Sequence, residues 1–274
     1  GFVNPEVDKL VILHKLEIDP HDVNRYFATS PSEQLPPPEK SAFEVSLLAL
    51  KDRFPSFDPN SLRALWTDAV REKVLVLRSP DFGCDFSETT LAFAKSPANE
   101  AAAIALVFLK LSVFARLRKK LAWSTPALDR ALQVFVRPSV EALSTLTWAA
   151  SIRTALTYLA HLAELAERTD RRVSNEELLT LWAPIGTTGE SSLYERLFLT
   201  RGVLSLAPVF DHPVGAYLQG STELVSNHTD AVAQALQISH EEIEQIFAYA
   251  GIQSAVLSID NLSLLMRHRV LATA

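Results

Sequence analysis

Residues 236–243 read Leu-Gln-Ile-Ser-His-Glu-Glu-Ile, and this stretch decides the fold class. Ile238 precedes Ser239, and Ile243 follows four positions later. Ser239 offers the side-chain oxygen with which an N-cap accepts an orphan backbone N–H at a helix start. Glu242 stands three residues on, where a capping-box glutamate reaches back to the N–H of the cap. Ile238 and Ile243 occupy the two positions of a hydrophobic staple. The segment therefore ends one helix and starts another through a tight capped corner.

The pattern recurs. Leu16-Glu17-Ile18-Asp19 is followed by Val23, Leu121-Ala122-Trp123-Ser124 by Leu128, and Leu257-Ser258-Ile259-Asp260 by Leu264. Phe57-Asp58 with Leu62 and Val173-Ser174 with Leu178 fit its second half, and Ser174 with Glu177 completes another capping box. Ser124, Ser174 and Ser239 are predicted N-caps. The corners are unevenly spaced, so the chain is not a solenoid of fixed period.

Between the corners the apolar residues repeat at helical spacing. Leu62, Leu65, Trp66, Ala69 and Val70 form one stripe, and Ile243, Ile246, Phe247 and Ala250 a second. Ile152, Leu156, Leu159 and Ala163 form a third, within the glycine-free stretch 139–168. Residues 98–121 are apolar almost all round as far as Arg116, which predicts a central helix buried on several sides. LSVFARLR (Leu111 to Arg118) and LSLLMRHR (Leu262 to Arg269) share Leu, Ser and both Arg in register.

Breaks separate these segments. Ser30 to Pro38 (SPSEQLPPP) reads as an extended loop, because proline lacks the N–H and restricts its predecessor. Residues 79–96 read as a long surface loop, 184–189 as a turn and 207–220 as irregular. Arg168 to Val173 reads as an exposed hinge, a candidate sub-division near 168–174 of what is otherwise one helical region, 1–274.

Composition agrees with helices. The chain has 274 residues, 48% of them apolar and 21% charged, so it can bury a sizeable core and is not a disordered chain. It holds only eight glycines, none between Gly83 and Gly186, whereas antiparallel sheets need glycine at their turns. The expected fold is all-α, an irregular multi-helix array of capped helix–turn–helix corners, with ten or more helices and negligible sheet. The net charge of −6 argues against a nucleic-acid surface, which would need clustered Lys and Arg. The longest strongly apolar run, Ala101 to Leu109, stops at Lys110, short of the ~20 residues of a membrane span. No signal peptide is seen. Gly1-Phe2-Val3 in place of an initiator suggests an excised piece of something longer, with Gly1 a cloning scar.

Few residues offer chemistry. Neither a glycine-rich phosphate loop nor a GxSxG elbow occurs. The seven histidines (positions 14, 21, 161, 212, 228, 240 and 268) form no HExxH or HxH set. His228 lies on a stripe with Val225, Val232 and Ala235 and reads as a packed or rim histidine. Asp211-His212-Pro213 reads as a turn, and Gly189-Glu190-Ser191-Ser192 as loop plus helix cap. Cys84, the one cysteine, lies near Asp81 and Asp85, which disfavour its thiolate. Glu241 and Glu242 suit the positive end of a helix, and Arg116, Arg118, Lys119 and Lys120 the negative end. Asn227-His228-Thr229 and Asn261-Leu262-Ser263 match the N-glycosylation pattern, which has meaning only in a secretory compartment. Trp66, Trp123, Trp148 and Trp182 read as core. The residues predict no catalytic, cofactor or metal site, so the chain is expected not to be an enzyme.

Three stretches carry a resemblance. RLRKKLAWSTPALDRAL (Arg116 to Leu132), LWAPIGTTGESSLYERLFLTRGV (Leu181 to Val203) and LSIDNLSLLMRHRVLA (Leu257 to Ala272) resemble, in that order, the helical region of the A component of bacterial Tc (ABC) insecticidal toxin complexes. The resemblance covers about residues 98 to 274, and the order and combination of the stretches are more specific than any one of them. Ala122 stands where the family commonly has glycine, and Thr200 where it has asparagine.

The resemblance implies a structural part of a secreted or cell-surface-associated virulence factor. Such A components are homopentamers. A helical channel enters the host membrane and delivers a toxic enzyme from the B–C components, inside a mostly helical shell. This chain resembles shell. Its implied partners are the rest of the same subunit, and through other regions the B–C components and the host-cell surface. No nucleic acid, cofactor or membrane insertion by this segment is implied. A helix from Leu257, with Leu262, Leu264, Leu265, Met266, Val270 and Leu271 spread round more than one face, is expected to pack against parent sequence beyond Ala274. The alternative reading is an independent helical interaction or adaptor module of an unrelated large protein.

Overall fold

The computed structural model describes residues 1–54, 57–78, 87–136, 145–169, 172–189, 191–212, 215 and 222–273. The fold is all-α, as the corners and the glycine scarcity predict. Cys84, Asp81 and Asp85 lie outside the described residues, as do Glu190 and Pro213. Two compact units form, Gly1–Trp123 and Ser124–Ala274. The division falls at a predicted capped corner. The predicted hinge near 168–174 lies within the second unit, where the helix before it packs on the helix after it.

The first unit contains α1 (Val7–Lys15), α2 (Pro20–Tyr26), α3 (Pro37–Arg53), α4 (Ser61–Leu65), α5 (Asp68–Arg71), β1 (Leu75–Arg78), β2 (Thr90–Phe93) and α6 (Glu100–Leu121). Helices α1, α2 and α4 pack on one another around Leu13, Val23 and Leu62, and α3 joins through α2. The stripe from Leu62 to Val70 is not one helix. Trp66 breaks it, and the Thr67 hydroxyl accepts the Val70 N–H to start α5. The loop expected over 30–38 ends sooner than predicted. Pro37 and Pro38 open α3, because a proline at the first helical positions gives up only an N–H that has no intrahelical partner. Residues 79–96 are not all loop either. Thr90–Phe93 pairs antiparallel with Leu75–Arg78, with Val76 opposite Ala92. The carboxamide of Asn4 takes both outward groups of Leu75, donating to its carbonyl at 3.0 Å and accepting its N–H at 3.1 Å. One end of this hairpin edge is thereby closed to further strands.

The second unit contains α7 (Thr125–Phe135), α8 (Thr145–Arg168), α9 (Asn175–Leu178), α10 (Leu193–Phe198), α11 (Arg201–Leu206), α12 (Thr229–Leu236), α13 (His240–Tyr249) and α14 (Ile259–Thr273), with short 3-10 turns at Leu179–Leu181, Pro208–Phe210 and Val225–His228. Helix α7 buries Leu128, Ala131, Leu132 and Phe135 along one face, against α8 and α9. The buried line of α8 is Trp148, Ala155, Leu159 and Leu162. It is rotated from the predicted stripe, and Leu156 is exposed. Helix α14 packs on α9, α12, α13 and the 179–181 turn. Leu262, Leu265, Met266 and Val270 are buried by the chain itself, contrary to the expectation of an incompletely covered helix, and only Leu271 of that set is exposed.

The corners form as their residues dictate. Asp19 accepts the His21 N–H, Ser124 the Ala127 N–H, and Ser174 and Ser239 make reciprocal capping boxes with Glu177 and Glu242. Three corners share a backbone feature. Glu17, Ala122 and Gln237, each two residues before the cap, have φ of 57°, 54° and 55°. This left-handed residue turns the chain out of the preceding helix, and its N–H or the next is taken by carbonyls of the last turn. The apolar residues Ile18, Trp123 and Ile238 then lead into caps whose staple partners Val23, Leu128 and Ile243 are buried. The fourth corner departs from this form. Its cap is Ser258, whose hydroxyl accepts the Asn261 N–H at 3.2 Å, and Asp260 lies in the first turn of α14. Asp58 accepts the Asn60 N–H in the turn before α4 and is not itself the helix cap.

Helix α6 is the largest departure from expectation. The predicted buried helix has one buried residue, Val107, while Ile104, Phe108, Leu109 and Leu111 are exposed.

Candidate functional site

A concave feature of the second unit lies between the Val225–His228 turn, α13 and the segment 251–256. Its floor is built by an isolated antiparallel bridge, Leu224 with Val256, in which Val225 N–H donates to Ala255 O at 2.8 Å and Leu257 N–H to Glu223 O at 2.7 Å. Gly251, at φ +71°, ends α13 and turns the chain back along it. The result is a cleft of about 650 Å³ lined by Val225, Ile243, Phe247 and Ile252, with Thr229 and Glu244 among its polar groups. Its hydroxyls (Ser226, Thr229 and Ser254) have no histidine or lysine beside them in the lining. The apolar part of the lining, Val225, Ile243, Phe247 and Ile252, can hold an apolar side chain, with the Glu244 carboxylate as its one charged group.

Beside the cleft stands an aromatic ladder. Tyr194 stacks on Phe198 with ring centres 5.2 Å apart, Phe198 on Phe210 at 4.9 Å, and His228 meets Phe210 edge-on at 6.3 Å. His228 is the rim histidine the sequence predicts, with Nε2 3.4 Å from Glu223 Oε2. The Tyr194 hydroxyl donates to Phe210 O at 3.0 Å. Burial, and secondarily the charge of Asp211, push its pKa above the ordinary tyrosine value, so it stays a neutral donor. His212 is buried and Asp211 exposed, in an irregular segment after the Pro208–Phe210 turn.

The other sequence candidates disperse. His14, His21, His161 and His240 are exposed, the last with Nε2 3.0 Å from Asp230 Oδ1. Glu241 and Glu242 lie in the first turn of α13, and Ser192 caps α10 in a box with Glu195. Asn227 and Asn261 donate to Glu223 and to Val256 O. Trp66 and Trp148 are core, but Trp182 is 37% exposed at the edge of a cluster with Phe135 and Tyr158. Among the described residues no three His, Cys, Asp or Glu side chains are grouped to hold a metal ion. No helix among them is long and apolar enough to cross a membrane.

Sequence reasoning missed one polar cluster. Arg269 donates to Glu177 Oε1 at 3.1 Å and to Gln237 Oε1 at 3.4 Å, Arg267 donates to Thr180 O at 2.7 Å, and Arg196 pairs with Glu176. The capping-box Glu177 thus serves its own helix and α14 together. Its box was legible from Ser174, but a partner 92 residues away leaves no local signal.

Comparison with protein-family models, with curated proteins and with solved structures gives no match.

Proposed function

We propose that this chain is a non-catalytic structural segment of the A component of a bacterial Tc toxin complex, from the helical shell that surrounds the translocation channel. The observation that carries the reading is the order of the three stretches at 116–132, 181–203 and 257–272. Support comes from their chemistry. Ala122, in the glycine position of the first stretch, has a left-handed backbone, which is the reason glycine suits it. Thr200, in the asparagine position of the second, caps α11 by accepting the Val203 N–H, a role asparagine also fills.

A shell segment works by filling space and presenting surfaces, so its requirement is rigid corners between helices and no reactive group. Its partners on this reading are the rest of the subunit, four further copies of that subunit, and the B–C components and host surface through other regions. The test is electron microscopy of the parent protein isolated from its source. Pentamers with a central channel are expected, and a parent that is monomeric or channel-free overturns the reading. A second reading, an independent helical interaction module, is favoured by one observation, the exposed apolar face of α6.

A further inference from the structure

The repeated octapeptide has opposite fates at its two sites. In α14, Leu262, Ser263 and Met266 of LSLLMRHR are fully buried, and Ile259, one turn earlier, is 5% exposed. The two arginines of the repeat are held by α9 and the 179–181 turn that follows it. Arg269 meets Glu177 of the Ser174 capping box, and Arg267 meets the main-chain carbonyl of Thr180.

In α6 the matching residues are Phe108, Leu111, Ser112, Ala115, Arg116 and Arg118, and every one is exposed. Phe108 is 62% and Leu111 38% exposed. With Ile104, positions 104, 108, 111, 115 and 118 follow one another alternately four and three residues apart, the spacing of a helix-packing seam. Arg116, Lys119 and Lys120 cluster with Arg118 at the same end of the helix, and none of the four has an ion pair among the described residues. The face that the chain covers on α14 is the face it leaves bare on α6.

We infer that this face of α6 docks a capped helix start of a partner protein, of the type Ser-x-x-Glu followed by leucines. The partner's glutamate meets Arg118, one of its main-chain carbonyls meets Arg116, and its leucines cover Phe108 and Leu111. The polar chemistry is taken from the chain's own solution at α14, where Glu177 meets Arg269 and the Thr180 carbonyl meets Arg267, within a segment, α9 and the 179–181 turn, that packs on α14. That segment is already engaged by α14, so the partner is expected to bring a further capped start of the same type. The cations gather at one end of the helix, whereas a helix lying on a lipid surface carries them along its polar side. The inference does not depend on the parent's being a toxin.

The experiment titrates the whole chain against a labelled, hydrocarbon-stapled peptide built on SNEELLTL. The peptide is extended to about 20 residues, because shorter helices are marginal in water. Micromolar binding is expected. Phe108→Asp should weaken it at least about tenfold, as for loss of a buried aromatic anchor. Arg118→Glu should weaken it by about tenfold, and a peptide with lysine in place of the capping-box glutamate should restore binding to that variant. Both residues are exposed, so circular dichroism and thermal unfolding should match the unaltered chain. Absence of peptide binding, binding indifferent to Phe108→Asp, or failure of the charge exchange overturns the inference. So does sedimentation showing dimers that Phe108→Asp dissolves, which assigns the face to a second copy. Cosedimentation with phosphatidylcholine–phosphatidylserine vesicles that is lost in Phe108→Asp, without peptide binding, assigns the face to lipid and also overturns it.

Discussion

The hydroxyl of Ser263, in the second turn of α14, accepts the Ile185 N–H at 2.9 Å and donates to Ile259 O at 2.5 Å. A serine inside the helix thereby satisfies a buried N–H in an irregular segment 78 residues upstream, and ties that segment to α14. Ser263→Ala strands the Ile185 N–H. The expected cost is about 1–3 kcal/mol, the penalty for a buried donor without an acceptor. The matching substitution in the other copy of the octapeptide, Ser112→Ala, is on an exposed surface and should stay within about 0.5 kcal/mol. Urea unfolding of the two variants checks the contrast, and equal effects refute it.

Ala122 and Gln237 hold left-handed backbones with side chains that disfavour them. An L-residue there is strained by about 1–2 kcal/mol, partly offset because glycine loses more backbone freedom on folding. Ala122→Gly and Gln237→Gly should each stabilise the chain by about 0.5–1 kcal/mol. Replacement by valine should destabilise it. Melting temperatures of the four variants measure this, and a glycine variant less stable than its parent goes against the assigned corner geometry.

The capping boxes make a pH prediction. The backbone N–H of Ser239 first, and its hydroxyl second, hold the Glu242 carboxyl below its ordinary value. A carboxylate lowered on folding stabilises fully above its unfolded pKa, about 4.3, and the stabilisation is lost as pH falls through the lower folded value. Ser239→Ala should therefore be less stable than the parent at neutral pH, with the difference shrinking as the solution is acidified below that range. At Ser174 the corresponding loss at neutral pH should be about 1 kcal/mol. Chemical denaturation at pH 7 and pH 3 distinguishes this from a pH-independent packing defect.

Gly215 has φ of +44°, and a Cβ there would stand 2.9 Å from Cδ2 of the Tyr194 ring. Tyr194 is buried, stacked on Phe198 and bonded to Phe210 O, so it has no room to withdraw. Gly215→Ala combines a disfavoured backbone with overpacking and should cost more than about 2 kcal/mol. Tyr194→Phe keeps the stack and loses one neutral hydrogen bond, about 1 kcal/mol. Near-ultraviolet circular dichroism should show the aromatic ladder disturbed by the first substitution and largely kept by the second.

The corners were legible because their chemistry is local. Ser239 finds Glu242 three residues away, and Ile238 finds Ile243 five away, so residue type and spacing suffice to set the helix start. The stripe over 62–70 and the loop over 30–38 are cut short, at Thr67 and Pro37, for a related reason. Each is a helix-start residue inside a stretch whose apolar or proline content suggests something longer, and the Thr67 cap on Val70 N–H begins the new helix just after Trp66. The rotation of the α8 stripe by one residue, from Leu156 to Ala155, is a choice between adjacent apolar positions that only its neighbours can make.

By itself, then, the sequence determined that the chain is a set of helices joined by capped corners, because caps, staples and glycine scarcity act within a few residues of one another. Which helices are buried was decided by tertiary structure. LSVFARLR and LSLLMRHR carry the same serine and the same two arginines at the same spacing. Burial of the second depends on Glu177, Thr180 and Ile185, which meet it from 78 to 92 residues away. No such groups face the first among the described residues, so α6 keeps Phe108 and Leu111 exposed while α14 encloses Leu262 and Met266.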